Sequence, residues 1–267
     1  MNIYAQELRM ARAAMIAWTL GLVLITLLFV SIYPVFSHDI DTTRNLLAGF
    51  PPQLRSMLGL SLETMDSFLG FYAYTFTYVG LIGAVQAMSL GLMMLSREQR
   101  SKTVEFLLTR PVSRSRIFAS KLMASLTILT ITNLVLSSTT VLFAFMVGAG
   151  GNFSYNVFAL LGLTFFVVQL VFFAIGVILS QLIRRIRSLV SMSLGGVFAF
   201  FALNLLQGLT ADEILRYTTP FRYFDHLEIV STKSIDMKYM WLSAVLIIVF
   251  LVVSYGIYLK KDIRSAA

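Results

Sequence analysis

Basic side chains concentrate in one stretch of this 267-residue chain. Seven of its 21 Lys and Arg residues lie between Arg97 and Lys121. Long segments without any charged residue flank the stretch on both sides. Cationic side chains at this density bind acidic partners or lipid headgroups. A basic loop between two apolar segments is typical of the cytoplasmic side of a membrane protein, where Lys and Arg are retained.

The residue pattern within this stretch predicts a short amphipathic helix. Ser96 and Gln99 have capping-box spacing, which places the start of the helix near Ser96. Pro111 disfavours helical geometry at the preceding residue, so the helix is expected to end near Thr109. Such a helix either lies on the membrane surface or docks into a soluble partner, and basic amphipathic segments commonly do the former. Its apolar face is formed by residues at helical spacing, with Phe106 beside them: Val104, Leu107 and Leu108.

Other chemistry-bearing groups are sparse. The two histidines, His38 and His226, each have carboxylates nearby, so a shared metal or acid–base site is conceivable. Histidines in polar loops more often meet solvent. The chain has no Cys, and it lacks the P-loop, H-E-x-x-H and G-x-S-x-G patterns. The sequence therefore predicts no catalytic, cofactor or metal site, and no ATP site within this chain.

The composition is that of an integral membrane protein. Hydrophobic residues make up 58% and charged residues 13%, with a mean hydropathy of +0.82. Soluble domains are about 45–50% apolar and about 25% charged. The net charge of +8 is expected to reflect membrane topology rather than a nucleic-acid partner, because the basic residues cluster in a few loops. We therefore expect one transmembrane domain over residues 1–267 and an all-α polytopic fold.

Apolar segments long enough to cross a bilayer predict six transmembrane helices. The uncharged run 122–183 must fold back, because one helix of that length would span about 90 Å. Its turn is expected at the Gly-rich segment 148–152. The predicted spans are residues 13–36, 68–95, 122–147, 155–183, 188–211 and 239–259, with a cytoplasmic loop at 96–121 and external loops at 37–67 and 212–238.

Charge distribution predicts the orientation of these spans. Fifteen of the 21 Lys and Arg residues fall on the side of loop 96–121 and six on the other. This bias predicts that both termini are cytoplasmic. No Asp, Glu, Lys or Arg falls within the predicted spans, which argues against ion-coupled transport. A pathway lined by apolar, hydroxyl and amide groups would suit amphiphilic cargo.

Several uncharged residues within the spans are expected to join helices. Gln86, Asn133 and Gln169 are predicted to hydrogen-bond neighbouring helices rather than a substrate, because polar groups in a membrane need partners. Gly80 and Ala84 have the small-x-x-x-small spacing that allows another helix to approach closely.

The loop also resembles a known motif. Glu98, the segment 103–108, the segment Pro111-Val-Ser-Arg114 and Lys121 are similar to the cytoplasmic loop of type-2 ATP-binding-cassette (ABC) transporter permeases. Lys102 stands where that family usually has Gly. The resemblance implies that the amphipathic helix is a coupling helix that contacts a separate ATPase subunit. The residues expected to make this contact are Arg97, Glu98, Thr103, Glu105, Phe106, Leu107, Leu108, Pro111 and Arg114.

From this resemblance we expect a permease subunit of an ATP-driven exporter in a prokaryotic inner membrane. Its expected partners are two ABC ATPase subunits, a second permease copy or a related permease, and membrane lipid. ATP and Mg would bind the ATPase chains, so the chain itself would not be an enzyme. Two alternatives stay open: a membrane-embedded enzyme that uses the external histidines and carboxylates, and a non-transporting scaffold or immunity protein.

Overall fold

All regular elements of the described residues are helices. The computed structural model describes residues 3–38, 45, 48–51, 55, 67–101, 113–148, 153–183, 188–210 and 212–260. The long helices are α1 (Ile3–Ser31), α3 (Phe68–Ser101), α4 (Arg114–Met146), α5 (Tyr155–Leu182), α6 (Leu189–Thr210) and α9 (Met237–Lys260). The short elements are α2 (Tyr33–His38), α7 (Glu213–Thr218), a 3-10 turn (Pro220–Arg222) and α8 (His226–Thr232).

The prediction of six membrane-spanning helices is confirmed. In the described part of the chain, six helices are long and apolar enough to cross a bilayer. Two of them begin earlier than the sequence suggested: the first at Ile3 rather than residue 13, and the third at Arg114 rather than residue 122. The expected break between the third and fourth spans is present, because α4 ends at Met146 and Gly148 adopts a left-handed φ of 75°.

Helices α3 and α5 form the centre of the bundle and run parallel to each other. Their contacts advance in the same direction along both helices, from the Tyr72–Phe158 ring pair to the Phe76–Phe165 pair, with centroid distances of 5.5 Å in each case. Most of the side chains of both helices are buried. They cross most tightly at Gly91 and Gly176, where the backbones touch.

This crossing corrects the predicted site of close approach. A Cβ added at Gly91 would collide with the carbonyl oxygen of Phe173, and one added at Gly176 would collide with the carbonyl oxygen of Met88. At Gly80, by contrast, a Cβ would have no neighbour within 4 Å. The expectation for Gly80 was wrong, because residue spacing alone does not say which face of a helix meets its neighbour.

The polar residues of the spans join four helices in one hydrogen-bonded network. Gln86 on α3 donates to the Thr132 hydroxyl on α4 at 3.1 Å, and that hydroxyl lies 2.9 Å from the Thr19 hydroxyl on α1. Gln169 on α5 accepts from the Asn133 amide at 2.5 Å. In these bonds the polar side chains of different helices pair with one another. The prediction that Gln86, Asn133 and Gln169 connect helices is therefore confirmed.

The outer helices expose apolar faces. On α1, the residues Ile16, Leu20, Leu24 and Leu28 are exposed at four-residue spacing. Helices α6 and α9 bury only a small share of their apolar windows. Contiguous apolar surfaces of this size need lipid or another protein against them. The fold thus has a buried helix pair at its centre and an apolar outer surface, as a membrane protein requires.

Candidate functional site

One end of the bundle gathers both ends of the described chain and the flanks of the basic loop. Helix α3 ends there at Ser101 and α4 begins there at Arg114. Contacts from α4 place the start of α1 and the end of α9 at the same end. Exposed basic side chains mark this end, which we call the basic end. They are Arg9, Arg12, Arg116 and Lys260.

A buried ion pair joins α4 to α1 at the basic end. Lys121 Nζ donates to Glu7 Oε1 at 2.8 Å, and the Lys121 side chain is only 2% exposed while that of Glu7 is 17% exposed. A hydrogen bond between the Tyr4 and Thr127 hydroxyls, at 3.0 Å, continues the contact along the same two helices. Burying a charge requires a paired partner, so this pair fixes the position of α1 against α4.

The ion pair corrects two expectations from the sequence. Lys121 was assigned to the loop 96–121, and the predicted spans held no Asp, Glu, Lys or Arg. In the structure, Lys121 lies about two turns inside α4, and Glu7 lies inside α1. Both were placed outside because charged residues near the ends of apolar segments suggest a loop. The pairing itself is a tertiary contact that no local pattern indicates.

A second set of contacts joins α4 to α9. Arg114 Nη1 donates to the Leu259 carbonyl oxygen at 3.0 Å. This carbonyl lies in the last turn of α9, where cationic groups are favoured by free carbonyls and the helix dipole. The Ser115 and Tyr255 hydroxyls lie 2.8 Å apart, and the Phe118 ring packs edge-on against Tyr255. The first turns of α4 are therefore attached to both α1 and α9.

The predicted ATPase-contacting residues fall in three groups. Arg97 and Glu98 lie in the last turn and a half of α3, and their side chains are outside the described residues. Arg114 begins α4 and contacts α9. The remaining predicted contacts lie within 102–112, which is outside the described residues: Thr103, Glu105, Phe106, Leu107, Leu108 and Pro111.

The expected start of a new helix at Ser96 was wrong. Helix α3 continues through Ser96 to Ser101, and the Ser96 hydroxyl donates to the Leu92 carbonyl oxygen within the helix. Its side chain therefore does not cap a helix start. The residue of this end that the sequence analysis missed is Glu7, the ion-pair partner of Lys121. Its one signal in the sequence is that it is the single acidic residue in the N-terminal segment 1–12.

The opposite end of the bundle holds a polar cavity of about 180 Å³. It lies between α3, α5, α6 and α8, and we call it the aromatic chamber. Its charged and polar lining includes Arg55, Arg222, Asp225 and His226. The His226 ring lies 5.1 Å from the Phe76 ring, between centroids. The aromatic lining consists of Phe76, Phe165, Phe201, Phe221 and Phe224.

Burial lowers the pKa of His226 to about 4, with Arg222 lowering it further and Asp225 partly opposing both. The imidazole is therefore neutral near pH 7. The Asp225 side chain caps the start of α8. Its Oδ1 accepts hydrogen bonds from the backbone N–H groups of Leu227 at 3.0 Å and Glu228 at 3.2 Å.

Almost the whole sequence, rather than one motif, matches a known family. The family model described as ABC-2 family transporter protein matches residues 1–263. The chain belongs to the ABC-2 transporter family. No curated protein matches this ABC-2 chain. As a member of the family, the ABC-2 chain is a multi-pass membrane protein and the permease subunit of an ABC transporter, a type of subunit that pairs with ABC ATPases. This agrees with the resemblance carried by loop 96–121.

Proposed function

We propose that this permease is the membrane half of an ATP-driven exporter and that residues 96–121 receive the motion of the ATPase. The observation that supports this role is the double attachment of the first turns of α4. A displacement of the preceding loop would reach α1 through the Lys121–Glu7 pair and α9 through the Arg114–Leu259 bond. Both outer helices would then move with α4.

The proposed orientation places the basic end in the cytoplasm. Among the described residues four exposed cations lie at this end and two, Lys233 and Lys238, at the other, and a bias of this sign governs topology in membrane proteins. Both termini would then be cytoplasmic, and the aromatic chamber would face the outside of a prokaryotic inner membrane. Export is favoured because the described external elements are short helices, with no large capture domain among residues 212–236.

The proposed assembly contains two ABC ATPase subunits and two permeases, either identical or related, surrounded by lipid. ATP and Mg would bind the ATPase subunits. The contact surface on this chain would be the predicted coupling helix, with Phe106 and Leu107 as its apolar centre. Apolar side chains at the centre of an interface commonly contribute most of the binding energy.

A double substitution tests the coupling role. We expect Phe106→Asp with Leu107→Asp to abolish co-purification of the cognate ATPase, because two carboxylates cannot enter an apolar interface without a partner. The chain should still fold, since these residues lie outside the spans. Size-exclusion chromatography and thermal unfolding of the purified chain check the fold, and pull-down measures recruitment.

Ile214→Asp is the matched control. It adds a carboxylate to an apolar side chain that is 75% exposed at the opposite end of the bundle. ATPase recruitment should be unchanged by this variant. Normal recruitment by the Phe106/Leu107 double variant would refute the assignment of residues 96–121 as the ATPase-binding loop.

A further inference from the structure

The aromatic chamber contains two guanidinium groups that form no ion pair with any described residue. Nε of Arg55 is enclosed and has no hydrogen-bond partner in the described part of the chain. Arg222 makes no ion pair with any described residue. Among the described lining residues Asp225 carries the one carboxylate, and it already accepts two backbone N–H bonds. Buried or half-buried cations usually have a counter-charge, and the described lining holds two guanidinium groups against this one carboxylate, an excess of positive charge.

The other polar groups of the chamber suit an oxyanion as well. His226 is neutral near pH 7, so it can donate one hydrogen bond without adding charge. Asn204, buried on α6, also lines the cavity. Guanidinium groups present paired N–H donors that match the oxygens of phosphate. At about 180 Å³ the chamber is smaller than typical drug-sized sites, which occupy about 300–1,000 Å³. It therefore fits a headgroup rather than a whole large ligand.

An aromatic path leads from this chamber to the membrane-facing side of α6. The Phe221 ring in the chamber lies 5.9 Å from Phe201, and Phe201 lies 6.4 Å from Phe198, between ring centroids. Phe198 is 50% exposed on the outer face of α6. An alkyl chain attached to a headgroup in the chamber could lie along these rings and reach the exposed apolar surface.

We propose that the aromatic chamber binds the phosphate headgroup of an amphiphile, with Arg55 and Arg222 holding the phosphate and Phe201 and Phe198 supporting its alkyl chain. This is a binding site within one permease chain. It depends on the chamber alone and not on the coupling of ATP hydrolysis, so a chain that fails to recruit the ATPase still has it.

Binding of dodecyl phosphate to the purified full-length chain, in a neutral maltoside detergent, tests the proposal. Native mass spectrometry counts the bound molecules and a titration gives the dissociation constant. We expect one saturable site. Arg222→Gln and Arg55→Gln should each weaken it at least about tenfold, since each removes charge-assisted hydrogen bonds to the phosphate. Lys233→Asn is the charge-matched control: it removes an exposed cation outside the chamber, and Asn tolerates the left-handed φ of 56° at that position.

A second variant keeps the test independent of the arginines. Gly80 lines the chamber, and a Cβ added there meets no atom within 4 Å. Gly80→Leu should therefore fill the cavity while leaving every charge in place, and dodecyl phosphate binding should be lost in a chain of normal thermal stability. Dodecyl maltoside, with the same alkyl chain and no charge, should not compete.

Three outcomes would overturn the proposal. The first is unchanged affinity for dodecyl phosphate in the Gly80→Leu chain. The second is an equal loss of affinity in the Lys233→Asn control, which would indicate a general effect of net charge. The third is inorganic phosphate competing as strongly as dodecyl phosphate, which would make the site one for a free anion rather than for an amphiphile.

Discussion

Lys121 on α4 donates to Glu7 on α1 at 2.8 Å across 114 residues of sequence. The lysine is nearly inaccessible to solvent and its partner retains a small exposed area. A cavity of only about 20 Å³ adjoins the pair, and its wall includes apolar side chains of α3 such as Leu90 and Met94. The pair is therefore held among apolar groups of three helices, next to the loop that we propose receives the motion of the ATPase.

The two partners of this pair should respond unequally to substitution. Glu7→Gln leaves the more deeply buried charge without a counter-ion, whereas Lys121→Met leaves a carboxylate that can still reach water. We expect Glu7→Gln to destabilise the chain by about 3–5 kcal/mol, the usual result of breaking a buried pair, and Lys121→Met to destabilise it less. Chemical denaturation of the purified chain in detergent measures both changes.

The double variant Glu7→Gln with Lys121→Met completes the cycle. Replacing both partners of a buried pair is often close to neutral, so most of the lost stability should return. If the two single changes instead simply add, the residues do not interact energetically, and the proposed transmission from α4 to α1 loses its basis.

The sequence predicted the helices well where apolar composition alone decides the outcome. Helices α5, α6 and α9 lie within two residues of the predicted spans. The starts of α1 and α4 were placed too late, because Glu7 and Lys121 lie in segments whose charge suggested a loop. Only the folded chain brings these two residues together, and their pairing then makes charges tolerable at these positions within helices.

Some contacts inside the bundle could likewise be predicted from the sequence, and others could not. Polar residues inside apolar segments must find partners, so Gln86, Asn133 and Gln169 could be assigned to helix contacts without a structure. The aromatic chamber could not be predicted, because its lining comes from residues separated by up to 172 positions, from Arg55 to Leu227. The glycines at the helix crossing could not be predicted either. The chain has 16 glycines, and only the packing of the helices shows that Gly91 and Gly176 are the ones where α3 and α5 touch.

The Gly91–Gly176 crossing gives a stability prediction with an internal control. Gly176→Ala places a methyl group against the backbone of α3, and backbone cannot move aside as a side chain can. We expect a loss of at least about 1–3 kcal/mol, the usual cost of overpacking. Gly80→Ala adds the same methyl group on α3 where there is open space, so it should leave stability unchanged or raise it slightly, since Ala is the better helix former.

Thermal unfolding of the two alanine variants in the same detergent measures the difference. Equal unfolding temperatures for Gly176→Ala and Gly80→Ala would mean that α3 and α5 do not pack as closely as the structure places them.

His226 gives a prediction on the pH dependence of stability. Its pKa is lowered to about 4 in the folded chain, chiefly by burial, from an ordinary value of 6.5. Between these two values the unfolded chain binds a proton that the folded chain does not. Stability should therefore fall as the pH drops from 6.5 towards 4. The charged groups that influence this titration are Asp225 and Arg222; Arg55 lines the same chamber.

Comparing histidine variants isolates this effect from the titration of carboxylates. The chain has two histidines, so His226→Gln and His38→Gln can be measured beside the unmodified chain at each pH. We expect the unfolding temperature of His226→Gln to decline less steeply between pH 6.5 and pH 4 than that of the unmodified chain, because Gln binds no proton in either state. His38→Gln should keep the steeper decline. Parallel curves for the unmodified chain and His226→Gln would show that His226 titrates alike in the folded and unfolded states, and thus that it is not enclosed in the aromatic chamber.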